Sequence, residues 1–545
     1  MKLSFLLIIL LTISHSIYSA PTPIGSKDSS QGGTFYYNLG QAPTTLNPLS
    51  STDGYSTRVQ GYVLDSLATR DLETYEWAPA LATEWTISKD GKVFEFTIRE
   101  GVKWHDGKPL TAEDIKFSFD AIVHPENKYK TAHLKSYYEE IKGVEILAKN
   151  KVRFTAKRTY FKNFDVAAGL TIVPKHIYEN PTKKEQKKLN KTLVGTGPYI
   201  FTEYKRGKKI ILKKNENWWG KDLEYYKGYY NFKKFVMKFV KDDTIAITMT
   251  EKGQLDYISM GTEAFMKKAT SKRWGKTAHK VKYENQAPKG YAFMGFNLKE
   301  PLFASKKTRR ALYHLVNRKL MIEKFLFNMS APATGPLYRQ SEYANKDVKA
   351  VDYDPKKALA MLREDGWKDS DGDQILDKMI DGKKVKFSFT ILEPLQDFIK
   401  YLTIFKESAK KAGIDIKVKY VEWNTFIKLL DERKFQAVRL AWGAGSADWD
   451  PKQIWHSSSI ANSGSNFVGY NNPEVDKLID NARSTMEKNK RKKILNKVFK
   501  IIANDTPYIF FFNSKYGFYG HTPKMKRVQS AFNYGVGLDT WWITK

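Results

Sequence analysis

The 545-residue chain contains no cysteine. That excludes disulfides, thiolate metal sites, cysteine nucleophiles and a lipid-modified N-terminal Cys. Beyond the first twenty residues, no apolar run approaches the roughly 20 residues a helix needs to cross a bilayer, so the mature protein is expected to be soluble and not integral to a membrane. No GxSxG elbow is present, and GTGPY at Gly195–Tyr199 lacks the Lys and Ser/Thr of a phosphate loop. The nine histidines are scattered, and none stands four residues from another. A secreted hydrolase would need a base–nucleophile or metal constellation, so a non-enzyme is expected. There is no repeat of fixed period and no low-complexity linker.

Acidic residues are also in deficit. Lys and Arg number 91 against 59 Asp and Glu, for a formal net charge of +32. An excess of this size can signal nucleic acid or an anionic surface. The lysines are spread along the chain, however, and the two densest clusters, Lys183–Lys188 and Lys488–Lys493, lie in helical, solvent-facing patterns. A solvated face is the preferred reading, with no nucleic-acid partner.

The N-terminus has one clear feature. MKLSFLLIILLTISHSIYSA carries Lys2, an apolar run from Leu3 to Ile13, and then small residues. This is the layout of a secretory signal over residues 1–20, cut after Ser16, Ser19 or Ala20. Together with the missing cysteine, it points to a soluble periplasmic protein.

Short apolar runs alternate with helical patterns, as in an α/β chain. In YDPKKALAMLREDGW, Asp354 caps, Pro355 fits the first turn and Gly366 ends the helix. Asn472 and Pro473 repeat that start signal. A third helix is expected from about Lys306 to Phe327, with Leu312, Leu315, Val316 and Ile322 facing one way. YIFFFN, Tyr508–Asn513, reads as a buried strand.

GVKWHDGKPLTAEDIKFSFDA, Gly101–Ala121, sets His105 beside Asp106. Asp106-Gly107 is a turn dipeptide. The preceding Lys92–Trp104 alternates like a strand, and Thr111 with Asp114 resembles a capping box. Strand, turn and capped helix account for the stretch without catalysis.

The same stretch carries a resemblance. LATEWTISKDGKVFEFTIREGVKWHDGKPLTAEDIKFSFD resembles the signature block of the family 5 extracellular solute-binding proteins, the peptide-type receptors of ABC importers. PTTLNPL (Pro43–Leu49), VGTGPYIFTEYKRGKKIILKKNENWWG (Val194–Gly220), FNLKEPLFASKKTRRALYHLVNRKLMI (Phe296–Ile322), YDPKKALAMLREDGW (Tyr353–Trp367) and GSNFVGYNNPEVDKLIDNA (Gly464–Ala482) resemble further blocks in the family's order. The resemblance implies a periplasmic-binding-protein-like fold with two α/β lobes, a hinge and an extra domain inserted in the first lobe. That lobe would be 33–55 with 193–288 and 514–545, the inserted domain 56–192, and the second lobe 289–513. The chain would cross near Phe293–Glu300 and return near Asn513. Ligand would be trapped as the lobes close. The implied function is capture of peptides for ABC transporter permease subunits by a monomer. An oligosaccharide or a metal chelate is the alternative cargo.

Peptide capture without sequence specificity needs backbone pairing, wet side-chain pockets and charged groups for the termini. The resemblance places these in VRLAWGAGSADWDPKQIW, Val438–Trp455. Ala441, Trp442 and Gly443 would supply the pairing backbone, Asp448 would bind the amine, and Arg439 would face the ligand. Three extra residues, Gly445–Ala447, precede Asp448, so Asp450 is a rival anchor; Asp448 could instead cap the next helix, and Trp442 could be core. Asn38 and Gly40, in TFYYNLGQAPTTLNP, sit where further backbone contacts would fall. Separately, DSDGDQILD offers Asp369, Asp371, Asp373 and Asp377 at loop spacing, a set that suits calcium or a plain acidic turn. No other cofactor is implied.

Overall fold

The computed structural model describes residues 22–51, 53–124, 129, 131–443, 445–461 and 464–544. The secretory signal expected over residues 1–20 lies outside the described residues. Among them, no helix is long and apolar enough to cross a membrane. The chain forms two compact units, Met1–Asn285 with Phe518–Lys545, and Gln286–Gly517. It passes between them at 285/286 and 517/518, not near Phe293–Glu300 and Asn513. The reason is that Tyr291–Phe296 and Tyr508–Ser514 are interior strands of the second unit's sheet.

The first unit has a seven-stranded sheet in the order His279–Tyr283, Gly517–His521, Tyr257–Met260, Thr34–Asn38, Lys234–Lys238, Lys209–Lys214, Tyr199–Lys205. Thr34–Asn38 alternates inward and outward residues, as a half-buried strand should. Phe35 is fully buried and stacks on Phe232 at 4.7 Å. A separate four-stranded sheet, in the order Ala82–Ile87, Val93–Ile98, Lys151–Ala156, Ile141–Ala148, packs its own aromatic core around Phe94, Phe96, Phe154 and Phe164.

The strand expected over Lys92–Trp104 stops at Ile98, and Gly101 turns the chain with φ +74. A loop follows, closed by Leu110 N–H to Val102 O (2.9 Å) and Trp104 N–H to Lys108 O (2.8 Å). The helix Ala112–Val123 then begins, and the Asp114 carboxylate accepts the Thr111 N–H at 2.9 Å, as the capping pattern required.

The second unit is built on a six-stranded sheet in the order Ser330–Pro332, Tyr508–Ser514, Tyr291–Phe296, Ala437–Trp442, Ser388–Glu393, Asp415–Tyr420. Its core joins sheet and helices through Trp367, Phe387, Trp455, Tyr508 and Phe510, each fully buried aromatic contributing about 1.5–3 kcal/mol. Asp354 caps Pro355–Glu364 and Asn472 caps Pro473–Ser484. The single helix expected over Lys306–Phe327 is two, Lys306–His314 and Arg318–Leu326. Asn317 breaks it because its side chain accepts the Leu320 N–H (3.0 Å) and starts a new helix. Leu312, Leu315, Val316 and Ile322 are nonetheless all buried.

Candidate ligand-binding site

In the second unit, Ala437–Trp442 pairs antiparallel with Tyr291–Phe296 along its whole length, from Ala437–Phe296 to Trp442–Tyr291. On its other side it pairs parallel with Ser388–Glu393 at only two positions, Ala437–Ile391 and Val438–Leu392. From Arg439 onward that edge carries no strand among the described residues. Backbone donors and acceptors on such an edge are free to pair with an extended guest.

Each expected residue on this strand has a distinct environment. Ala441 and Gly443 are exposed. Trp442 is half-buried, its indole stacked between Phe293 (6.0 Å, 17°) and Phe467 (5.9 Å, 8°), so it contributes packing while its backbone remains at the edge. Gly290, which the sequence reading did not single out, supports the strand end. A Cβ there would lie 2.3 Å from the Trp442 carbonyl oxygen, so only glycine allows this approach.

Arg439 does not sit at the open edge as a free cation. Its Nε donates to Glu393 Oε2 at 2.6 Å, Nη2 also bonds Glu393, and the guanidinium lies 4.0 Å from the Phe398 ring centroid. Both side chains are almost wholly buried. Burial pushes the Glu393 carboxyl above its ordinary value, although Arg439 pulls it down.

Asp448 is half-buried, and its Oδ1 accepts the Tyr343 hydroxyl hydrogen at 2.7 Å. Burial, then the Asp448 charge, raises the Tyr343 phenol pKa. Asp448 does not cap the following helix, Lys452–Trp455, whose N-cap is Pro451. Asp450 is committed elsewhere, with an ion pair to Arg483 and a bond from the Lys452 N–H at 3.1 Å. Tyr343, more than 90 residues earlier in the chain, left no local signal that it would hold Asp448.

In the first unit, Asn38 closes the end of its strand. Its Nδ2 donates to Val240 O (3.1 Å), and its Oδ1 accepts from the N–H groups of Gly40 (3.0 Å) and Val240 (3.2 Å). Gly40 takes φ +84 and its N–H is spent on Asn38. Asn38 and Gly40 thus belong to one local clamp, in a different unit from Arg439–Asp448.

His105 is structural. Its Nε2 bonds the Gly197 carbonyl at 2.9 Å, and its Nδ1 accepts the Gly195 N–H at 3.3 Å. Burial lowers its pKa, so the ring is a neutral brace between the loop and Gly195–Gly197. Gly195 is needed there, since a Cβ would meet the Val63 carbonyl oxygen at 1.8 Å.

In the acidic loop, Asp369, Asp371 and Asp373 come together, exposed. Asp377 does not join them. It turns inward, is buried, and accepts the Ser370 N–H at 3.0 Å. Lys384 bonds Asp371 at 2.8 Å and Lys386 bonds Asp373, while Asp369 accepts the N–H groups of Gly372 and Gln374. The loop is thus balanced by its own lysines and backbone.

The chain thus forms two α/β units, one of them with a strand left open on one edge. Comparison with known proteins identifies its class. Residues 76–465 match the bacterial extracellular solute-binding proteins, family 5 (middle region), and the chain belongs to that family. Over 564 residues it is 30% identical to the oligopeptide-binding protein AppA of Bacillus subtilis, covering 100% of this chain and 98% of the relative. It is 27% identical to the heme-binding protein A of Haemophilus influenzae, covering 94% and 93%. The solved structure of B. subtilis AppA in complex with a nonapeptide superposes with a TM-score of 0.76 at 28% identity, covering 95% of this chain and 100% of that one.

Proposed function

We propose that this chain captures peptides outside the cytoplasmic membrane and delivers them, chemically unaltered, to an ABC importer. The observation that carries this reading is the open edge at Arg439–Gly443, beside an Asp448 held by Tyr343. An extended peptide pairs with the free backbone at Ala441–Gly443, and Asp448 receives its α-amino group. Arg439, neutralised by Glu393, holds the strand's flank and does not bind the peptide carboxylate. The likeness to a peptide-bound relative supports peptide over other cargo.

With this function go export by the N-terminal leader, a monomeric state, and permease subunits as partners. A first lobe of 33–285 with 518–545 carries residues 56–192 as an inserted domain, and 286–517 form the second lobe. The heme-binding relative makes a metal chelate the second candidate cargo. Mass spectrometry of material co-purified with the protein, followed by calorimetry on refolded, guest-free protein with peptides, oligosaccharides and heme, tests the assignment. Peptides retained and rebound are expected. Binding of a sugar or chelate alone, or cleavage of an offered peptide, overturns it.

A further inference from the structure

The second unit holds a cavity that peptide capture does not use. It measures about 290 Å³ and is lined by residues of the helices Lys306–His314, Pro355–Glu364 and Lys488–Asp505. Arg310 and His314 both line it; they stand four residues apart and share one helix face. Lys357 and Lys500 line it from the other two helices, and Asp347 and Asp352 are exposed in its wall.

His314 is only 5% exposed. Its Nδ1 lies 2.9 Å from the carbonyl oxygen of Asp352 and so carries the hydrogen, which leaves a lone pair on Nε2. Burial holds its pKa below the ordinary imidazole value, with the Asp352 bond opposing. Nε2 has no hydrogen-bond partner among the described residues. The Arg310 guanidinium is half-buried and makes no hydrogen bond or ion pair among the described residues; the Tyr313 ring lies 6.0 Å away and the like charge of Arg318 acts on it. A half-buried cation and an imidazole nitrogen, neither hydrogen-bonded among the described residues, flank one cavity and are open to a guest that matches both.

We propose that this cavity binds a small oxyanion that retains an O–H, hydrogen phosphate being the simplest. Arg310, Lys357 and Lys500 balance its charge, and His314 Nε2 accepts its hydroxyl hydrogen. The carboxylates of Asp347 and Asp352 oppose both dianions alike, so the discrimination comes from His314 Nε2. Sulfate matches hydrogen phosphate in size and charge but presents only acceptors to Nε2, so the cavity distinguishes the two.

The test is calorimetry on the mature protein with inorganic phosphate and with sulfate at pH 7.5 and matched ionic strength. Phosphate is expected to bind at least tenfold more tightly than sulfate. Arg310→Met is expected to weaken phosphate at least tenfold. Lys357→Met, on an exposed position that leaves the core intact, weakens it severalfold and keeps the test valid if Arg310→Met folds poorly. Peptide affinity stays unchanged in both variants. Equal binding of the two anions, no phosphate binding, or variants that bind phosphate like the parent protein would overturn the proposal.

Discussion

Arg439 and Glu393 form an ion pair buried inside the second unit, at the point where the ladder between their strands ends. Removing one member of such a pair leaves the other uncompensated and costs about 3–5 kcal/mol. Arg439→Met should therefore unfold at lower temperature than the parent protein. The Glu393 carboxyl is already raised by burial, and losing its cation raises it further. A raised folded-state pKa stabilises the fold fully below the unfolded value, near 4.3, and the benefit is lost as pH rises. The deficit of Arg439→Met should accordingly shrink between pH 7.5 and pH 5. A deficit independent of pH in thermal scans would count against the pair. Arg439→Met with Glu393→Leu should restore stability and leave the preference between free and amidated peptide C-termini unchanged.

Asp448 and Asp450 are separable. Asp448→Asn keeps an acceptor for Tyr343 but removes the charge, and should weaken peptides with a free amine by about 2–5 kcal/mol. Asp450→Asn breaks the pair with Arg483 and should lower the melting temperature with peptide affinity retained. Calorimetry on both variants decides the anchor, and the reverse pattern would assign it to Asp450.

The acidic loop should be indifferent to calcium. Lys384 and Lys386 already pair with Asp371 and Asp373, and the hydrogen bond from Lys384 holds the Asp371 carboxyl down at about 2. Melting temperatures with millimolar calcium and with chelator should coincide. A rise with calcium would show that the metal displaces both lysines.

Acid should weaken the first unit through His521. Its Nδ1 bonds the Thr522 carbonyl (2.8 Å) and its Nε2 faces Arg527 (2.9 Å); burial, with further help from Arg527 and His279, lowers its pKa to about 4. A depressed folded-state pKa means full stability above the unfolded value near 6.5, lost as pH falls. Between pH 7 and 5 the expected loss is on the order of 1–2 kcal/mol. His521→Gln should flatten that part of the stability–pH curve in denaturant titrations, and an unaltered slope would exclude His521 as its source.

What could be read from sequence was what is local. Asp354, Asn472 and the Thr111–Asp114 pair announce their helices within four residues, and each is a cap in the structure. The break at Asn317 was hidden because Leu315 and Val316 continue the apolar stripe across it. The site was half legible for the same reason. The stretch from Val438 to Asp448 could be singled out, but not the partners that fix its chemistry. Glu393 lies 46 residues from Arg439 and Tyr343 lies 105 from Asp448, and no periodicity links residues across parallel strands and separate loops.

The first unit's sheet has a consequence for biogenesis. Gly517–His521 pairs with Tyr257–Met260 and lies between it and His279–Tyr283, yet more than 230 residues of the other unit are made before it. Until a ribosome has passed residue 521, Tyr257–Met260 presents an unfilled slot to any passing strand. The unit begun first is therefore the one finished last, and a stop codon just after residue 517 would spare the younger unit while stranding the older.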